Sequence, residues 1–76
     1  MDSYNIIRKV ILYAETKRRL RDPEDVAMRG ESVSKLSSTS RRLHRELVNE
    51  GVSPELLNLS GDEIAEVVYD TVHRYV

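Results

Sequence analysis

Helix-start signals divide this chain. Asp22-Pro23-Glu24-Asp25, Ser53-Pro54-Glu55 and Ser60-Gly61-Asp62-Glu63 each place a capping residue just before a first turn that carries acids. A cap of this kind satisfies the free N–H groups at a helix N-terminus, and the acids suit the positive end of the helix dipole. Pro23 and Pro54 fit the first helical position, where a missing N–H costs nothing. Ser60 and Glu63 read as a capping box, with Leu59 and Ile64 as its hydrophobic staple. Gly51 sits where a left-handed residue closes a helix, and Val52 can fold back on the last turn. Segments cut this short make several modest helices that must share one core.

The periodicity agrees. Ser3 can cap a first helix running to about Arg21. Its Tyr4, Ile7, Val10, Ile11 and Ala14 fall at helical spacing, and Ile6 and Tyr13 widen the stripe. The β-branched run in 5–13 also allows a strand, but the long period and the lack of strict alternation favour helix. A short second helix from Pro23 to near Gly30 and a third from Ser32 or Ser34 to Glu50 follow. One helix from Pro23 to Glu50 is the alternative, since Val26, Val33, Leu36, Ser40, Leu43 and Leu47 keep a heptad-like rhythm. Gly30 and the weak helix formers Ser37 to Ser40 argue for a break. A short Pro54–Asn58 segment precedes a last helix from Gly61 to Tyr75, with a broad apolar face of Ile64, Ala65, Val68, Tyr69, Val72, Tyr75 and Val76. Asp70 and Arg74 are spaced for an i,i+4 pair. The expected fold is all-α, a single domain over 1–76. It is a small bundle of three longer amphipathic helices plus one or two short segments.

Seventy-six residues without Phe, Trp or Cys leave a modest core of aliphatic residues and tyrosines. Missing cysteine excludes disulfides and thiolate chemistry and fits a reducing compartment. The longest apolar run, Val10 to Ala14, is far too short to span a bilayer. The N-terminus lacks the pattern of a signal peptide. A cytoplasmic protein with no membrane role is expected.

The charges are sorted. Arg8 to Arg45 holds eleven Lys/Arg against five Asp/Glu, whereas Glu46 to Val76 holds Arg74 alone against seven acids. A near-neutral total of −1 therefore hides a basic front and an acidic rear, and a one-sign surface attracts opposite charge. The basic half is sharpest in the third helix. At about 100° per residue, Val33, Leu36, Ser40, Leu43 and Leu47 share one face. Lys35, Ser38, Arg42 and Arg45 gather opposite, with Arg41 at the edge. Guanidinium forks and short hydroxyls are the groups that hold phosphate oxygens. Arg8 and Arg19, on an expected outer face of the first helix with Lys9, Leu12 and Thr16, would support them. The order short helix, Gly30, longer helix has the outline of a helix-turn-helix, but Ala27 and Gly30 are three apart rather than four and Glu31 puts an acid in the turn.

Catalysis has little foothold. No serine sits in a G-x-S-x-G elbow, and the acid pairs Glu24/Asp25 and Asp62/Glu63 lie at helix starts, where capping explains them. No metal pattern or glycine-rich nucleotide loop occurs. His44 reads as a partly buried core histidine, and the four tyrosines read as packing where the first and last helices meet. No enzyme activity, cofactor, metal or small-molecule substrate is expected. The sequence favours a small non-enzymatic nucleic-acid-binding or regulatory protein, dimeric, contacting phosphates through Lys35, Ser38, Arg41, Arg42, Arg45, Arg8 and Arg19. The alternative is a protein–protein interaction module or homodimerising adaptor. In that case the basic face meets an acidic protein, or the chain's own acidic C-terminal helix.

Overall fold

A computed structural model describes the backbone of residues 3–75 and the side chains of residues 4–74. Five helices follow in order: α1 (Ser3–Leu20), α2 (Pro23–Met28), α3 (Val33–Asn49), α4 (Pro54–Leu57) and α5 (Gly61–Tyr75). This is the all-α bundle of three longer and two short helices that the sequence implies, with no strand among the described residues. The expected Ser3 cap and the places of Tyr75 and Val76 on the last helix lie outside the described side chains.

Local chemistry sets the boundaries. Asp22, Ser32 and Ser53 cap α2, α3 and α4, their side chains accepting from the backbone N–H groups of Asp25, Lys35 and Glu55. Ser60 and Glu63 make both bonds of the capping box at the start of α5. Residues 23–50 form two helices, not one. Gly30 adopts φ +76°, and the N–H groups of Gly30 and Glu31 bond back to the carbonyls of Ala27 and Val26. That Schellman closure needs a left-handed residue, which glycine adopts without a Cβ penalty. Gly51, at φ +97°, ends α3 with the same pair of bonds, from Gly51 to Val48 and Val52 to Leu47.

α1 is the central element. α3 and α5 each pack along it, and they have little contact with each other. The core joins Val10, Tyr13 and Ala14 of α1 to Leu43 and Leu47 of α3, Leu57 of α4 and Ile64 of α5, with Leu59 and Val52 packed against it. Tyr13 donates a hydrogen bond to the Leu57 carbonyl at 3.2 Å, and Lys17 Nζ caps the same end of α4 through the carbonyls of Leu57 and Leu59. α5 starts against α1. A Cβ on Gly61 would stand 2.5 Å from the Ala14 carbonyl oxygen, so only glycine permits this approach.

Two expectations about exposure change. α1, flanked on two sides, has a narrower outer face than the sequence implies. Thr16 is buried and bonds the Leu12 carbonyl, and Lys9 turns toward α3. Of the tyrosines with described side chains, only Tyr13 packs in the core, while Tyr4 and Tyr69 are exposed. Val33 is also exposed.

Candidate nucleic-acid interface on α3

α3 is amphipathic in the way its sequence requires. Leu43 and Leu47 are buried and Leu36 and Ser40 half-buried, while Lys35, Ser38, Arg41, Arg42 and Arg45 are all exposed. None of these five makes a side-chain hydrogen bond or ion pair among the described residues. The sole acid within α3, Glu46, lies at the edge of the Lys35/Arg42 flank, one turn beyond Arg42, and Glu50 is the C-cap; Lys9 of α1 holds them at 3.8 and 2.6 Å. That hydrogen bond to Glu50, aided by the field of both carboxylates, raises the Lys9 ammonium above its ordinary value against the opposing effect of desolvation. The outward face of α3 therefore carries positive charge, and the one acid bordering it on the helix, Glu46, pairs with Lys9. Ser34 and Asn49, which the sequence reading did not single out, are exposed and share this side of the helix.

The other basic residues divide sharply. Arg18 and Arg21 pair with Asp62 at the start of α5, at 3.0 and 3.1 Å, and Arg29, the C-cap of α2, pairs with Asp25 of that helix. Arg19 is held by Glu31 at 2.8 Å, which gives the acid in the α2–α3 turn a structural role. These arginines and their acids line a cleft of about 440 Å³ between α1 and α2 whose charges are matched within the chain. Arg19 is thus engaged, and it reaches a phosphate only by leaving Glu31. Arg8 is exposed on α1 with no ion pair among the described residues. The structure brings Lys35, Ser38, Arg41, Arg42 and Arg45 together on one helix face and places Arg8 and Arg19 on another helix.

The acidic half of the chain does not cover this face. No ion pair among the described residues joins Glu63, Glu66 or Asp70 to Arg41, Arg42 or Arg45, and α5 lies along α1 rather than α3. Nor does an ion pair form between Asp70 and Arg74. His73 near them lies against the Tyr69 ring, with centroids 4.0 Å apart. His44 is half-buried, its ring 5.9 Å from that of Tyr13, so it faces the core and leaves the outer face of α3 free of aromatic groups. Burial raises the Tyr13 hydroxyl above its ordinary value, a hydrogen bond with Ser40 partly opposing this.

A second unsatisfied surface lies on α5. Ile64 is its buried apolar side chain and Val68 is partly covered, but Ala65, Val67, Tyr69 and Val72 are exposed. With Ile11 and Ala14 of α1, three of these line an apolar groove of about 280 Å³. No described helix is long and apolar enough to cross a membrane. Comparison with protein-family models, curated proteins and solved structures finds no match for this chain.

Proposed function

We propose that this chain is a small non-enzymatic nucleic-acid-binding or regulatory protein that contacts phosphates through the outer face of α3. The observation that carries this reading is the division of the basic residues. The arginines around the end of α1 and at the C-cap of α2 find carboxylates, whereas Lys35, Arg41, Arg42 and Arg45 pair with none among the described residues and stand on one exposed face. Cations packed close together without counter-charges repel one another, and a polyanion relieves that repulsion while releasing its own counterions. Arg8 would add to the field. Arg19 would add to it only by exchanging Glu31 for a phosphate.

The test is binding to generic nucleic acid at low ionic strength. Arg42→Ala and Arg45→Ala should each weaken it by roughly threefold or more, whereas Arg74→Ala, at the far end of α5, should leave it unchanged. Equal losses from all three variants would mean that α3 is not the site.

The exposed apolar residues of α5 favour a second reading, a protein–protein interaction module or homodimerising adaptor. Contiguous apolar surface rimmed by polar groups marks interaction sites. Under this reading Tyr69→Glu abolishes association measured by sedimentation while helical content is kept. A wild-type chain that stays monomeric at high concentration would remove self-association.

A further inference from the structure

We infer that the ligand of this face is double-stranded DNA, with α3 lying in the major groove, small polar residues toward the base edges and cations toward both phosphate strands. The inference rests on the reading of α3 as a phosphate-binding face. It comes from how the exposed residues are arranged across that face. Taking the line through Leu43 and Leu47 as the buried direction, the helical period places Ser34, Ser38 and Arg45 within about 20° of the outward normal, with Asn49 about 40° to one side of it. Lys35 and Arg42 flank the normal on that same side by roughly 60–80°, and Arg41 flanks it on the other by about 40°. All seven are exposed. A helix resting on one strand needs a single row of cations. A helix between two strands needs cations on both flanks and short hydrogen-bonding groups between them, which is the pattern here.

The dimensions agree. An α-helix with its side chains is about 10–12 Å across, and the major groove of B-form DNA is about 12 Å wide. α3 has 17 residues and packs mainly on α1, so its outer half is open along its length. The central residues are types that read bases: Arg pairs with guanine, Asn with adenine, and Ser with either. Two other nucleic acids fit poorly. The A-form major groove of duplex RNA is too deep and narrow to admit side chains. Single strands are held largely by stacking on aromatic rings, and the outward face of α3 has none.

The experiment compares one labelled sequence as DNA duplex, RNA duplex and single-stranded DNA across a salt series, followed by selection from a random duplex DNA library. The expected result is DNA-duplex affinity at least about tenfold above the other two, the scale of one or two base contacts. In addition, Arg42→Ala should lower the salt slope by about 1, while Asn49→Ala should leave it unchanged and relax the selected sequence. Equal affinity for RNA duplex or single strand would overturn the groove placement while leaving phosphate binding intact. A library with no enriched sequence would overturn the base-edge role. Absence of binding to all three at low salt would remove the underlying reading too. Circular dichroism should show each variant as helical as the wild type, since every substituted side chain is exposed.

Discussion

α3 and α5 lie against the same central helix and use their amphipathicity in opposite ways. α3 buries its apolar line, Leu43 and Leu47 with Leu36 at its edge, and leaves its charge unmatched. α5 matches the acid at its start, since Asp62 takes both Arg18 and Arg21, and leaves apolar surface uncovered at Ala65, Val67, Tyr69 and Val72. An apolar face is a demand for a neighbour, not proof of one. α3 meets that demand because Lys9 and Tyr13 bring α1 against it at Glu50 and His44. α5 packs mainly along one edge of α1, approached so closely at Gly61 that the helix starts on the α1 backbone.

The largest effects should come from the anchors of the two helices. Leu47 and Ile64 have no exposed surface, and Leu47→Ala or Ile64→Ala should each cost about 2–5 kcal/mol in denaturant unfolding. For a domain this small that is most of its stability. A cost for Ile64→Ala well below that for Leu47→Ala would show that α5 is held less firmly than its burial implies. Gly61→Ala should cost about 1–3 kcal/mol, because the new methyl meets the Ala14 carbonyl oxygen and the Arg18 Cγ, both at 2.5 Å, and the former is backbone that cannot swing aside. A neutral result would mean that α5 can slide along α1 without loss.

Smaller effects probe the α1–α3 side. The Lys9 ammonium, raised by its bond to Glu50, and the Tyr13 hydroxyl, raised by burial, both favour the protonated folded state. Their contribution is therefore full below the unfolded values of 10.5 for Lys9 and 10.0 for Tyr13 and is lost as pH rises through the higher folded values. Thermal unfolding followed between pH 8 and 11 should show falling stability from about pH 10. Lys9→Met should flatten that fall; an unchanged profile would place the alkaline loss elsewhere. Smallest of all, Arg42→Ala and Arg45→Ala should change stability by less than about 0.5 kcal/mol, since neither side chain has an ion-pair or hydrogen-bond partner among the described residues. A large loss would mean that these arginines serve the fold rather than a ligand.

The helix boundaries were legible because capping is local. Asp22, Ser32, Ser53 and Ser60 each bond an N–H two or three residues on, and Gly30 breaks the chain within its own turn. The α3 face was legible for the same reason, since the helical period alone sets which residues share it. What could not be read were relations between helices. Lys9 and Glu50 are 41 residues apart, as are Arg21 and Asp62; nothing in the sequence says which helices neighbour α1. That fact turned Lys9 and Thr16 inward and tied up Arg19. The wheel likewise gave α5 an apolar direction but not a partner for it, so Tyr69, expected in the core, stands exposed.

The central claim is that the unmatched cations of α3 are a phosphate-binding face. The most direct measurement is the affinity of the wild-type chain for generic duplex DNA as a function of salt. Contacts from Lys35, Arg41, Arg42 and Arg45 predict a plot of log K against log salt falling with a slope between about −2.5 and −4. A slope near zero, or no binding at low salt, would contradict the account.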